Sequence, residues 1–162
     1  MAPHKLYTIG YEGASIDGLV GALKAAGVAR VLDIRYSPYS KRDEFSTDAL
    51  APSLAAYGIR YTHIKALGNP PAGREAARLA HHAAYREIMA GHLASVDGAA
   101  GLHQALAHAA TEPVCLLCLE RAARHCHRHI VADAMAARAG LEVQHLQIDR
   151  KTAHPAQAAF DF

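Results

Sequence analysis

The sequence has no tryptophan, few other aromatic residues and little net charge. Only 6% of its 162 residues are aromatic, which leaves few side chains on which nucleic-acid bases can stack. The formal net charge of +2 is too small to indicate a nucleic-acid-binding protein from bulk electrostatics. An anionic ligand must therefore be recognised by a local group of basic residues.

Cysteines and long apolar segments are also scarce. Three cysteines are too few for a disulfide-stabilised scaffold, which favours a reducing compartment. The first residues, MAPHKLYTIG, lack the apolar core of a signal peptide. No segment approaches the roughly 18 apolar residues that a helix needs to span a bilayer. These absences predict a cytoplasmic protein that does not enter a membrane.

Apolar residues make up 51% of the chain, and short β-forming runs alternate with longer helical patterns. One predicted helix is capped by Ser15 and closed by Gly27, and a long helical zone runs from about Arg74 to His92. Five runs have strand character: KLYTIGY, VARVLDIR, IRYTHIKAL, EPVCLLCLE and EVQHLQI. This alternation predicts an α/β fold with a largely parallel sheet of about five strands flanked by helices. We expect a single compact domain over residues 1–148 and a C-terminal tail over 149–162.

Polar and ionisable residues follow three of the predicted strands. In a parallel sheet the carboxyl ends of the strands meet at one edge, and ligands bind there. The candidate residues at this edge are Tyr11 and Glu12 after the first strand, Asp33, Arg35 and Ser40 after the second, Cys118 and Glu120 after the fourth, and Cys126, His127 and Arg128 near the start of the next helix. Their convergence predicts an enzyme-like pocket.

The predicted ligand is an anion, either a phosphorylated small molecule or a compound derived from nucleic acid. Arg35 and Arg128 are expected to hold the anion, helped by Ser40 and the free N–H groups of the helix N-terminus. Tyr11 and Glu12 are further candidates for ligand binding.

The candidate catalytic groups have separate expected roles. Asp33 or Glu120 is expected to act as a general base or to orient an arginine. Cys118 or Cys126 is the candidate nucleophile, and His127 is the natural proton carrier.

Two other classes of function stay open. A non-catalytic module that binds nucleic acid or a protein partner is suggested by basic residues that loops can bring together, namely Lys41, Arg42, Arg121, Arg124 and Arg128. A thiol redox or metal-binding protein is suggested by Cys118 and Cys126 with His127 or His129. Because a second regular CxxC or HxxxH pair is missing, the main interpretation includes no metal ion and no other cofactor.

Four sequence blocks carry a family resemblance: TIGYEG at Thr8–Gly13, LDIRYSPYS at Leu32–Ser40, GIRYTHIKALG at Gly58–Gly68, and LLCLE followed by CHR at Cys126–Arg128. In this order they resemble the bacterial and archaeal domain-of-unknown-function family 488, as far as VQHL near Val143. The resemblance implies a compact α/β domain and assigns no activity. The candidate residues above fall at matching positions. The loop GNPPAG departs from the family pattern, which implies an atypical ligand preference if that loop contacts the ligand.

Overall fold

The structure of the chain, a computed structural model, describes residues 5–149. Within these residues a sheet of five parallel strands carries six α-helices on its two faces. The predicted α/β class and the largely parallel sheet of five strands are therefore confirmed. The predicted tail at 149–162 lies outside the described residues, apart from Asp149.

The order of the elements follows the predicted alternation. The strands are β1 (Lys5–Gly10), β2 (Arg30–Asp33), β3 (Arg60–His63), β4 (Val114–Cys118) and β5 (Glu142–His145). The α-helices are α1 (Ile16–Ala26), α2 (Thr47–Ala55), α3 (Pro71–Arg78), α4 (His82–Ala94), α5 (Val96–Ala109) and α6 (Arg128–Ala139). Single 3-10 turns lie at Asp43–Phe45, Lys65–Leu67 and Ala123–His125.

Capping residues explain where the first helix begins and ends. The Ser15 hydroxyl accepts a hydrogen bond from the N–H of Gly18 at 3.0 Å, and Gly27 adopts the left-handed conformation that closes many helices. Both predicted caps are confirmed. The long helical zone predicted from about Arg74 to His92 is instead two helices, α3 and α4. Ala80 between them has a φ of 58°, and nothing in an alanine-rich sequence marks such a break.

The strand order is β3-β2-β4-β1-β5, so β4 lies between β1 and β2. The connection from β1 to β2 passes β4 and runs toward the β3 edge of the sheet. The connection from β4 to β5 passes β1 and runs toward the opposite edge. Neighbouring strands whose connections leave in opposite directions open a crevice at their carboxyl ends. This topological switch point lies beside Gly10 and Cys118, which pair across β1 and β4.

Each face of the sheet has its own apolar core, and β4 contributes to both. Val114 and Leu116 pack with residues of α4, α5 and α6. Cys115 and Leu117 pack on the opposite face with residues of α1 and α2. Cys115 is a core residue, and its burial raises the pKa of its thiol. None of the helices between residues 5 and 149 combines the length and the apolar character that crossing a bilayer requires.

Gly10 allows two chain segments to approach closely at the switch point. A β-carbon at this position would overlap the carbonyl group of Glu120, in the segment that follows β4. Only glycine lacks the atom that would collide, so this residue type is required where the Glu120 backbone crosses the end of β1.

Replacing Gly10 with alanine is expected to reduce the free energy of unfolding by about 1–3 kcal/mol, as overpacking of a buried site generally does. Gly21→Ala is the matched control, because Gly21 is exposed within α1 and has no atom within 4 Å of the added β-carbon. That control should gain up to about 1 kcal/mol from helix propensity. Urea denaturation measures both variants, and equal effects would contradict the close approach at Gly10.

Candidate functional site

A cavity of about 260 Å³ opens at the carboxyl edge of the sheet, beside the switch point. Five of the ten candidate residues line it: Tyr11, Arg35, Cys118, Glu120 and His127. The other five do not belong to its lining, namely Glu12, Asp33, Ser40, Cys126 and Arg128. Residues from three separate parts of the chain therefore share one cavity, and a second group of candidates surrounds them.

Asp33 and Arg35 form a buried ion pair at the end of β2. The Asp33 carboxylate accepts hydrogen bonds from Arg35 Nε at 2.9 Å and Nη2 at 2.6 Å. It also accepts from the backbone N–H of Arg35 at 3.1 Å and from the Tyr61 hydroxyl at 2.5 Å. With four donors around it, the Asp33 carboxylate holds the Arg35 side chain in place, and its role as a general base or as an orienting group in catalysis stays a prediction.

Arg35 keeps its charge and still has donors to offer. Burial lowers the pKa of Arg35, but the hydrogen bonds and charge of Asp33 outweigh this effect and raise the pKa overall. A guanidinium group has five N–H groups. Three of them donate within the described part of the chain, two to Asp33 and one to the Tyr11 hydroxyl at 3.2 Å. The remaining two have no partner among residues 5–149, and Arg35 lines the cavity.

Tyr11 lines the cavity next to Arg35, and Ser40 lies behind its wall. The ring of Tyr11 stacks on Phe45 with centroids 4.5 Å apart, and its hydroxyl accepts a hydrogen bond from Arg35 Nη1 at 3.2 Å. Burial raises the pKa of Tyr11, so its hydroxyl stays protonated near neutral pH. The Ser40 hydroxyl accepts from the backbone N–H of Arg42 at 3.1 Å. These contacts hold the Tyr11 hydroxyl beside the cavity.

Two cysteines and one histidine form a compact cluster at the end of β4, which we call the Cys–His cluster: Cys118, Cys126 and His127. His127 Nδ1 lies 3.6 Å from Cys118 Sγ and 3.8 Å from Cys126 Sγ. His127 Nε2 lies 2.7 Å from the carbonyl oxygen of Ile34. Because a carbonyl only accepts, Nε2 carries a hydrogen, and Nδ1 is the ring nitrogen that lies beside both sulfur atoms.

Burial distinguishes the two thiols of the cluster. Cys126 is 2% exposed and does not line the cavity, and burial strongly raises the pKa of its thiol. Cys118 is 5% exposed and lines the cavity. Burial lowers the pKa of His127, but the hydrogen bond and charge interaction with Cys126 outweigh it and raise this pKa overall. Cys118 is thus the thiol that a ligand in the cavity can reach.

Arg128 and Glu12 hold the segment that follows β4. The Arg128 side chain is fully buried and donates to the Thr8 hydroxyl at 3.2 Å, to the carbonyl of Glu120, and to that of Arg121 at 3.1 Å. Glu12 accepts a hydrogen bond from the backbone N–H of Arg121 at 3.0 Å. These bonds keep Glu120 beside Cys118, whose sulfur donates to Glu120 Oε2 at 3.6 Å. The roles in ligand binding expected of Arg128 and Glu12 stay predictions.

Sequence reasoning missed part of the cavity wall. Tyr36, Tyr39, Asn69 and Arg74 line it. The Arg74 guanidinium lies 4.9 Å and the Lys65 ammonium 4.8 Å from the centre of the Tyr36 ring. Arg74 belongs to a helix with an exposed polar face, so its sequence context carried no signal. Asn69 belongs to the GNPPAG segment, which thus contributes to the cavity.

The basic residues that suggested a nucleic-acid-binding module do not form one surface. Arg42 and Arg128 are buried, and Arg42 lies 4.4 Å from the centre of the Phe45 ring and 3.1 Å from Glu44. Lys41, Arg121 and Arg124 are exposed. The buried guanidinium groups contact protein atoms, which reduces the charge available to a nucleic-acid backbone.

The ion pair provides a test of how strongly the site is held together. Asp33→Ala leaves the Arg35 charge buried without its partner, and we expect a loss of about 3–5 kcal/mol in the free energy of unfolding. Glu75→Ala is the control, because it breaks the exposed Glu75–Arg78 pair and should leave stability nearly unchanged. Guanidinium chloride denaturation compares the two. A similarly small effect for both variants would contradict a buried, mutually dependent pair.

The family resemblance is supported by a match to a family model. The family described as "Domain of unknown function DUF488" matches residues 15–135, which include both the Asp33–Arg35 pair and the Cys–His cluster. No curated protein and no solved structure matches the chain. The family match covers well over half of the 162 residues. The chain belongs to the domain-of-unknown-function family DUF488.

Proposed function

We propose that this protein is an enzyme whose substrate is an anion, a phosphorylated or nucleic-acid-derived compound, bound in the cavity at the carboxyl edge of the sheet. One observation carries the proposal. Cys118, Glu120 and His127, which can move protons or act as nucleophiles, line the same 260 Å³ cavity as two arginines, Arg35 and Arg74.

The charges around the cavity favour an anion on one side of it. Asp33 neutralises Arg35, whose two remaining N–H groups still attract an acceptor. Arg74 and Lys65 add positive charge at the ring of Tyr36. Glu120 lies on the other side, beside Cys118, and its carboxylate repels an anion. The anionic group is therefore expected near Arg35 and Arg74, and the reacting atom near Cys118.

Tyr39 favours a substrate that carries a planar ring. Its side chain is 64% exposed although it lines the cavity, and an aromatic face at a cavity mouth provides a stacking surface for a nucleobase. A nucleotide whose phosphate contacts the arginines can place its base on this ring. Tyr39 thereby distinguishes a nucleotide from a simple phosphate compound.

Arg74→Ala is expected to weaken the binding of inorganic phosphate about tenfold, because it removes a charged hydrogen-bond donor worth about 1.5 kcal/mol. Arg78→Ala is the matched control, since Arg78 lies on the same helix but pairs with Glu75 outside the cavity. Isothermal titration calorimetry measures both affinities. Equal phosphate binding by the wild type and both variants would contradict the proposed anion position.

Adenosine 5′-monophosphate, titrated in the same way, tests the class of ligand. If the base stacks on Tyr39, Tyr39→Ala weakens the binding of this nucleotide and leaves that of inorganic phosphate unchanged. An equal effect on the two compounds would argue against a nucleotide substrate.

The proposed cavity also predicts which thiol reacts with an alkylating reagent. In protein freed of metal ions by a chelator, iodoacetamide is expected to alkylate Cys118 first, because only this cysteine lines the cavity. Saturating phosphate should slow the reaction, and Cys118→Ser should abolish the rapid phase. Peptide mass spectrometry identifies the modified residue. Rapid alkylation of Cys115 or Cys126 would show that the cavity does not control access to the thiols.

A further inference from the structure

The three donor atoms of the Cys–His cluster lie around a single point. Cys118 Sγ, Cys126 Sγ and His127 Nδ1 are all within 4.8 Å of one another, and the two N–S distances are 3.6 and 3.8 Å. Bonds of about 2.3 Å to sulfur and 2.0–2.1 Å to nitrogen, arranged as a tetrahedron, place nitrogen and sulfur about 3.6 Å apart. The two N–S distances thus already match those of one tetrahedral zinc ion.

The surroundings of His127 fit the same assignment. A histidine that binds a metal through one ring nitrogen commonly donates its other N–H to a carbonyl or carboxylate, which fixes the orientation of the ring. His127 donates its Nε2–H to the Ile34 carbonyl at 2.7 Å. Ile34 directly follows β2, and this bond leaves Nδ1 as the ring nitrogen that is near the two sulfur atoms.

Cys115 is a structural cysteine of the core and differs in its contacts from Cys118 and Cys126. It is fully buried, and its sulfur lies 3.7 Å from the Leu116 carbonyl oxygen. Cys118 and Cys126, in contrast, come from β4 and from the segment before α6, and both contact one imidazole. Two thiolates and a neutral imidazole around Zn²⁺ also give a site with no net charge, as burial favours.

We infer that Cys118, Cys126 and His127 bind one Zn²⁺ ion with a fourth coordination position open to the cavity. Two thiolates and an imidazole are a ligand set that selects zinc. Cys118 and His127 line the cavity whereas Cys126 does not, so the open side of the ion faces the proposed substrate. Three protein ligands with one open position are typical of catalytic rather than structural zinc.

Together with the proposed function, on which this step rests, the open position indicates hydrolysis. A water molecule bound there would be activated by the ion, and Glu120, whose Oε2 is 3.6 Å from Cys118 Sγ, is the nearby carboxylate that would accept its proton. The water oxygen forms the new bond to the electrophilic atom of the substrate, and its proton passes to Glu120. The leaving group departs with the electron pair of the broken bond and takes that proton. Water is the only co-reactant.

The test begins with full-length protein purified without a histidine tag. Inductively coupled plasma mass spectrometry is expected to find one zinc ion per chain. Cys126→Ser should lose most of this zinc, whereas Cys115→Ala, which removes a thiol outside the cluster, should retain it. Circular dichroism verifies that both variants are folded. Zinc retained by Cys126→Ser would overturn the assigned ligand set.

A second measurement needs no variant. After removal of metal by a chelator, titration of the wild type with Co²⁺ should produce thiolate-to-cobalt charge-transfer absorption and the visible bands of tetrahedral cobalt, complete at one equivalent. Zn²⁺ should then abolish these bands and protect Cys118 from iodoacetamide. Protein without zinc that also gives no such bands would overturn the metal site. Phosphate affinity is measured separately, so its loss in Arg74→Ala would still support the anion-binding cavity.

Discussion

The close pairing of β1 with β4 is the constraint on which the rest of the site depends. Gly10 lies opposite Cys118, and the chain after β4 crosses directly over Gly10. Because this position carries no side chain, Glu120 can lie at the edge of the sheet instead of being pushed into solvent. Arg128 then holds this segment in place by donating hydrogen bonds to the backbone carbonyls of Glu120 and Arg121. A larger residue at Gly10 would therefore disturb the sheet edge and the cavity together.

Arg35, Arg74 and Arg128 have different surroundings and different structural roles. Arg35 is paired with Asp33 and lines the cavity. Arg128 is fully buried and uses its donors to position backbone. Arg74 lies at the exposed rim, where its charge meets the ring of Tyr36. Burial and partners, not residue type, thus decide what each guanidinium group contacts.

The Cys–His cluster depends on long-range contacts that hold it in place. The bond from His127 to the Ile34 carbonyl links the start of α6 to the end of β2, and the neighbouring Asp33–Arg35 pair stabilises that end. Side chains locked by such contacts keep the geometry that either a metal or a reacting group needs. The ion pair and the Cys–His cluster are therefore parts of one arrangement, although only the cluster carries thiols.

The sequence by itself determined the α/β class, the five strands, the caps of α1 and the strand-end residues, because these depend on periodicity and on neighbours a few positions away. Five candidate residues meet in one cavity because parallel strands bring their carboxyl ends to one edge. Only the tertiary structure decided that β4 lies between β1 and β2 and that Arg74 and Tyr36 complete the cavity. It also directed the Arg128 side chain inward. These outcomes depend on contacts between residues far apart in the chain, which no local pattern encodes.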